Sequence, residues 1–362
     1  MIKLLIVDDS ALMRRQLTML FQTQGDFEVR QARNGVEAVV ENRDFQPDVV
    51  TLDINMPEMD GITALSLIMA ERPVPVIMVS SLTEKGALAT FEALNLGAVD
   101  YVAKPGGTIS LSLDVVKAEL LTKVRGAVRA RPTRKPSGAI ASSAHRAQPL
   151  KARETPVRAS FKAAEQPAPG KNGVLLVGVS TGGPRALEEV LPALPADFPW
   201  PVLVAQHMPA SFTAPFAARL NAVCALEVVE ASRPMAMEAG RIYVAKGGAD
   251  MIVTRRGGTL TVLPKPEASE YLWHPSVELM ARSALEHIDA HRLVGVMLTG
   301  MGYDGADAFT EIKQRGGRTV AESEDTAVVF GMPGELIARG GASLVLPLDK
   351  VAAQVKAWAA RS

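Results

Sequence analysis

The chain has 362 residues, with 39 Lys+Arg balanced by 39 Asp+Glu and one cysteine. That length suggests two domains, and 48% hydrophobic against 22% charged residues is the mix of an ordinary globular protein. A single cysteine excludes an intramolecular disulfide and a thiolate zinc cage, and no run approaches the roughly 20 apolar residues of a membrane span. The start, Met1 to Val7, reaches Asp8-Asp9 after a short apolar run without a basic leader, so no secretory signal is expected. Cys224 lies among apolar residues and reads as a small buried side chain in a reducing compartment.

In chain order, the first part alternates strand and helix patterns. Strands are predicted at Lys3–Val7, Phe27–Gln31, Val49–Asp53, Val76–Ser80 and Tyr101–Ala103. Helices are predicted near Ala11–Gln22, Asn34–Arg43, Gly61–Glu71, Lys85–Leu96 and Leu113–Val128. The runs Val49–Leu52 and Val74–Val79 are almost continuously apolar, as strands covered on both faces are. Five such units predict a doubly wound α/β domain with a parallel sheet over residues 1–125.

The composition then shifts. From Arg125 to Lys171 there are eleven Lys/Arg against two Asp/Glu, and six prolines. A segment with Phe161 as its only aromatic cannot bury enough apolar surface to offset the entropy of ordering. Residues 126–171 therefore read as a flexible basic linker. Without interleaved aromatics or a folded platform they are not expected to bind nucleic acid.

Strand and helix patterns resume over residues 172–362. Strands are predicted at Val174–Val177, Pro201–Ala205, Leu226–Val229, Arg241–Val244, Met251–Thr254, Leu260–Leu263, Leu293–Leu298, Arg318–Ala321 and Leu344–Leu346, with helices beginning near Pro184, Phe212, Ser276, Gly305 and Pro333. The stretch from Arg241 to Leu263 reads as hairpins at one sheet edge, turning at Arg256-Gly257-Gly258. The expected fold is again a doubly wound parallel sheet.

In open α/β sheets chemistry sits beyond the carboxyl ends of the strands. In the first domain those ends carry Asp8-Asp9, Asp53, Ser80-Ser81 and Lys104-Pro105. Three converging carboxylates repel one another unless a cation sits among them, and a hard divalent ion with oxygen ligands, such as Mg2+, fits. Asp53 can then attack a phosphoryl group while Lys104 screens the transferred oxygens and the Ser80 hydroxyl binds one of them. Tyr101 is placed to change rotamer as Ser80 moves. Solvated acids at strand ends are the plainer explanation of any single residue, but four such edges in this order argue against it.

Over residues 1–125 these motifs resemble the receiver domain of two-component response regulators. The matching segments are Leu5-Ile6-Val7-Asp8-Asp9-Ser10, Leu52-Asp53-Ile54-Asn55-Met56-Pro57 through Gly61, Val79-Ser80-Ser81, and Gly97 through Pro105. The resemblance implies a flavodoxin-like fold, phosphorylation of Asp53 by a histidine kinase, and Mg2+ held by Asp8, Asp9, Asp53 and the Asn55 main-chain carbonyl. An acidic residue often stands where this chain has Asn55, which bears on the lifetime of the phosphoryl group.

In the second domain Gly178-Val179-Ser180-Thr181-Gly182-Gly183-Pro184 leaves a strand and opens a helix. As a dinucleotide fingerprint it lacks the second glycine and the acid after the next strand. As a nucleophile turn it exposes Ser180 at a strand-to-helix bend, with N–H groups nearby for an oxyanion. His207, in Gln206-His207-Met208-Pro209, is the candidate base, and Asp304, in the glycine-rich turn after Leu298, the residue that orients it. Singly, Ser180 or Asp304 can be a helix cap and His207 a structural histidine. His145 falls in the linker. His287 and His291 are four apart on one predicted helix, without a third ligand. His274, in Trp273-His274-Pro275, is an alternative base or a substrate contact.

From about Lys171 onward the chain resembles the catalytic domain of the chemotaxis-specific protein-glutamate methylesterases. The resemblance also rests on Gln206 through Thr213, Met297 through Ala306, and Phe330-Gly331-Met332-Pro333. It implies a Rossmann-like esterase without a cofactor, in which Ser180, His207 and Asp304 cleave the γ-methyl ester of receptor glutamates through an acyl-enzyme, and deamidate receptor glutamines. Thr181 and Met301 would supply oxyanion N–H groups. The implied partners are a chemotaxis histidine kinase and methyl-accepting chemoreceptors, and the implied location is cytoplasmic, at receptor arrays or free, without membrane insertion. The loops Lys246–Asp250 and Glu270–Pro275 depart from the family pattern. A response regulator with a non-catalytic binding output and an esterase for another substrate are the alternatives.

Overall fold

The computed structural model describes residues 1–80, 83–104, 110–128 and 173–360. The linker expected over 126–171 lies outside the described residues, apart from the end of a helix and Val128. Ser81, Pro105 and His145 also lie outside them.

The first domain alternates β1 (Ile2–Val7), α1 (Ala11–Gln22), β2 (Phe27–Ala32), α2 (Gly35–Asp44), β3 (Val49–Asp53), α3 (Gly61–Glu71), β4 (Val76–Ser80), α4 (Glu84–Leu96), β5 (Asp100–Ala103) and α5 (Ser110–Ala127). Its sheet runs β2-β1-β3-β4-β5, every described pair parallel. The apolar runs account for this: every residue of β3 and β4 is buried, so both faces carry helices. Asn34, Asp60 and Thr83 start their helices by accepting an N–H three residues on.

The second domain begins with β6 (Val174–Val179), α6 (Gly183–Val190), β7 (Val202–Gln206), α7 (Ala210–Val223), β8 (Glu227–Ala231), β9 (Met235–Ala236) and β10 (Arg241–Ala245). It continues with β11 (Asp250–Arg256), β12 (Thr259–Lys265), α8 (Val277–His287), β13 (Leu293–Met297), α9 (Ala306–Gln314), β14 (Arg318–Glu322), α10 (Met332–Ala338), β15 (Leu344–Leu346) and α11 (Leu348–Ala360). Seven strands form one parallel sheet in the order β15-β14-β13-β6-β7-β10-β8. Both domains thus have the predicted class, doubly wound α/β.

Three readings need correction. β10 is not an edge hairpin: it pairs in parallel with β7 on one side and β8 on the other. Its run Ile242-Tyr243-Val244-Ala245 is wholly buried, the mark of an interior parallel strand. Only β11 and β12 form a hairpin, turning at Gly257-Gly258 and joined by β9 in a separate antiparallel sheet. His287 and His291 do not share a helix, because α8 ends at His287 and His291 sits in a following 3-10 turn. Cys224 is half-buried at the end of α7, with burial pushing its thiol up to about 11.

Each sheet reverses its winding at one place, between β1 and β3 and between β6 and β13. Strands on either side of such a point send their following loops in opposite directions and leave a crevice at the carboxyl edge. The two domains meet where α4 and Tyr101 pack on α7. The Tyr101 ring stacks on Phe212 with centroids 4.7 Å apart and planes 7° apart, and Phe91 lies 5.3 Å from Phe216.

Gly61 ties α3 to the end of β3. A Cβ there would lie 1.9 Å from the Asp53 carbonyl oxygen, whereas a Cβ on Gly25, at φ +77°, would meet nothing within 4 Å. Gly61→Ala is therefore expected to cost more stability in urea unfolding than Gly25→Ala. The contrast is about 1–3 kcal/mol for overpacking against about 1 kcal/mol for a left-handed residue.

Candidate functional sites at the two switch points

At the first crevice Asp8 and Asp53 are buried, and Lys104 Nζ lies 2.7 Å from Asp53 Oδ2 and 3.0 Å from Asp8 Oδ2. Burial raises the Asp53 pKa, the lysine contact opposes it, and the neighbouring Asp8 adds to it. Burial disfavours the Lys104 charge, but Asp53 and Asp8 outweigh it and raise that pKa. Asp8, Asp9 and Asp53 each offer a carboxylate oxygen within 4.8 Å of the others, and Asp8 and Asp53 share the Lys104 ammonium. This donor set suits a hard divalent cation. The Asn55 side chain is exposed, while its backbone N–H reaches Asp53.

Ser80 is fully buried, and its hydroxyl donates to the Gly86 carbonyl at 3.2 Å. To bind an oxygen on Asp53 it must leave that acceptor. Tyr101 is turned inward: its hydroxyl is buried without a hydrogen bond, Lys123 Nζ sits 5.1 Å from its ring centroid, and burial raises its pKa well above the ordinary value.

At the second crevice Ser180 follows β6, His207 follows β7 and Asp304 lies in the loop after β13. His207 Nε2 is 2.9 Å from Asp304 Oδ2. Asp304 also accepts from Val277 N at 2.6 Å, Glu278 N at 3.0 Å and Ser276 Oγ at 3.0 Å. The carboxylate thus sits on the first turn of α8, where the helix dipole favours a negative charge. Burial alone would raise its pKa, but His207 and the two amides outweigh it and hold it below the ordinary range. Asp304 accepts from the first turn of α8 and not of α9, whose Ala308 N–H donates to the Glu278 carboxylate at 2.9 Å.

With Nε2 directed at Asp304, Nδ1 is the ring atom left as acceptor. It is buried and has no partner, and no hydrogen bond joins it to Ser180 in this arrangement. Both residues line one cleft of about 620 Å³, with Met301, Trp273 and His274. The Thr181 and Met301 backbone N–H groups donate to no backbone acceptor among the described residues.

Four contributors escaped the sequence reading. Gln206 Nε2 donates to the Ser180 and His207 carbonyls, both at 3.0 Å. Trp273 lies parallel to His207, with centroids 5.7 Å apart and planes 2° apart. Gly302, at φ +83°, makes room for that indole, since a Cβ would come 2.7 Å from Trp273 Cζ2. Ser276 anchors Asp304. The Gln206-His207 pair was in view as a motif, but the other three depend on a long-range approach that leaves no periodic signal.

One wall of this cleft comes from the first domain. Ala118, Glu119, Thr122 and Lys123 of α5 line it opposite Ser180 and His207. Lys123 is held by Asp100 at 3.3 Å, Glu119 at 3.0 Å and the Tyr101 carbonyl at 2.7 Å.

Residues 175–355 match the family model described as CheB methylesterase, and residues 4–115 that of the response regulator receiver domain. The chain is 54% identical over 369 residues to protein-glutamate methylesterase/protein-glutamine glutaminase 3 of Rhodospirillum rubrum, covering 100% of this chain and 97% of the relative. It is 54% identical over 366 residues to protein-glutamate methylesterase/protein-glutamine glutaminase 2 of Rhodopseudomonas palustris (strain BisB18), covering 99% and 98%. The crystal structure of the Thermotoga maritima CheB methylesterase catalytic domain is 35% identical, with a TM-score of 0.49, over 51% of this chain and 97% of that one.

The depressed Asp304 carboxyl stabilises the fold in full above the ordinary value of 3.8, and this contribution is lost as pH falls through the lower folded value. Removing one member of a buried pair costs about 3–5 kcal/mol. Asp304→Asn is thus expected to be less stable at neutral pH and to lose less on acidification. Urea unfolding followed down to about pH 2 checks both.

Proposed function

The chain belongs to the CheB methylesterase family with a receiver domain ahead of the catalytic one, and from that premise we propose that it demethylates chemoreceptors under control of phosphorylation at Asp53. We take residues 1–125 as receiver, 126–171 as linker and 172–362 as catalytic domain. The substrates are receptor glutamate γ-methyl esters and receptor glutamines. Ser180 Oγ attacks the acyl carbon and its proton passes to His207 Nδ1. Asp304 stabilises the imidazolium, and the Thr181 and Met301 N–H groups receive the oxyanion. The proton leaves with methanol, or with ammonia from an amide. Water then gives its proton to His207 and opens the acyl-enzyme, leaving a glutamate carboxylate and free Ser180. Support comes from the buried, unpartnered Nδ1 of a histidine that lines the serine's own cleft.

In the receiver, Asp8, Asp9, Asp53 and the Asn55 carbonyl would hold Mg2+, which when bound screens the phosphoryl oxygens. Asp53 accepts the phosphoryl group from a chemotaxis histidine kinase. Lys104 neutralises it, and Ser80 leaves Gly86 to bind it. The protein works in the cytoplasm, at receptor arrays or free. Among the described residues no helix is long and apolar enough to cross a membrane.

The observation that carries the regulatory reading is α5 standing as a wall of the Ser180 cleft. That position narrows access for a receptor helix. Drawing Ser80 toward Asp53 breaks its bond to Gly86 of α4, the helix that packs beside Tyr101 on α7, and frees the wall to move.

Methanol release from methylated receptor membranes is expected to depend on Ser180 and to rise with a small phosphodonor and Mg2+. Ser180→Ala should fall to background, and deleting residues 1–125 should raise basal release. Unchanged or lower release after that deletion sinks the inhibitory reading. Phe212→Ala removes an aromatic pair worth about 0.5–1.5 kcal/mol. It should raise release without phosphodonor about 2- to 10-fold while leaving the fully phosphorylated rate unchanged.

A further inference from the structure

A second histidine–carboxylate pair borders the cleft. Asp250, the first residue of β11, has a fully buried side chain, and His274 Nδ1 lies 3.1 Å and 3.0 Å from its two oxygens. Asp250 also accepts from Ala268 N at 3.0 Å and Ser276 N at 2.8 Å. The His274 side chain is 17% exposed and lines the same cleft as Ser180.

With Nδ1–H held by the carboxylate, His274 keeps Nε2 as its remaining polar atom. Ser276 fixes where that atom stands relative to the catalytic histidine. Its N–H donates to Asp250 and its hydroxyl to Asp304, so one residue registers both pairs. The proposed proton transfers need only His207, which has its own carboxylate and the Gln206 clamp behind it. A ring fixed this firmly beside a cleft, outside the proton path, is built to bind.

We propose that His274 is a recognition residue, oriented by Asp250, whose Nε2 accepts a hydrogen bond from an N–H of the receptor segment flanking the scissile ester. The inference rests on the esterase reading above. Its occupant is a peptide N–H beyond the reacting side chain, and its effect is to set substrate affinity and not the chemical step. Asp250 is a positioning residue. Exposed Leu272, beside Trp273 on the same rim, gives the segment an apolar contact.

The test compares two substrates with the full chain, phosphodonor and Mg2+: methylated receptor membranes, and the γ-methyl ester of N-acetylglutamate amide, which has no flanking peptide. His274→Ala is expected to raise KM for receptor membranes about 10-fold, with kcat and small-ester turnover unchanged. His274→Gln, whose one amide can give its NH2 to Asp250 and its carbonyl oxygen to the cleft, should recover most of that affinity. Asp250→Asn should resemble His274→Ala in KM. Small-ester turnover also reports that each variant is folded. Loss of kcat on both substrates, or no change on either, overturns the proposal while the esterase reading stands. Wild-type protein that releases methanol from neither substrate overturns both.

Discussion

The catalytic domain depends on one buried charge. Asp304 is 3% exposed, and an ionised carboxylate in that position is tolerated only if donors replace its water. Two amides of α8, the Ser276 hydroxyl and His207 supply them. Each donor fixes something else. The amides set the start of α8 against the loop after β13. Ser276 carries the constraint on to Asp250 and so to His274. His207, which lines the cleft, is turned so that its other nitrogen keeps no partner among the described residues. A residue that looks like a helper of one histidine is the point at which the active-site segments are registered.

The receiver follows the same logic with the opposite sign. Its acidic cluster is under-compensated: one ammonium, Lys104, serves two buried carboxylates. The Tyr101 hydroxyl is also buried without a partner, at a cost of about 1–3 kcal/mol. The packing of Tyr101 on Phe212 and of Phe91 on Phe216 offsets this. The closed arrangement is therefore held by a small difference between opposing terms, which is the condition for a switch that one phosphoryl group can move.

Both crevices were legible in the sequence because parallel strands buried on both faces read as continuous apolar runs, and their carboxyl ends place Asp8, Asp53, Ser180 and His207 at known edges. The same rule, applied to Ile242–Ala245, would have put β10 inside the sheet. Proximity to the β11–β12 hairpin drew it to the edge instead. Helix α11 was missed although Val351, Val355 and Trp358 keep helical spacing, because no strong cap precedes Leu348. The Asp250–His274 pair was out of reach for a different reason. Its members lie 24 residues apart, on a strand and a loop, and nothing in either local pattern announces the other.

Contacts between the domains and contacts inside the receiver divide the work. The aromatic contacts between α4, Tyr101 and α7 supply affinity without direction, since apolar burial scales with area. The polar contacts of Lys123 with Asp100, Glu119 and the Tyr101 carbonyl stay within the receiver and fix where α5 presents its wall to the cleft. Separating the domains leaves the Lys123 contacts satisfied, exposes the apolar rings and parts the Asn95 amide of α4 from Glu188 and Arg219. Opening then costs apolar area and the hydrogen bonds of one amide, and breaks no interdomain ion pair found among the described residues. A gate built this way moves without disturbing either active site, because the charges that define each site are satisfied inside their own domain.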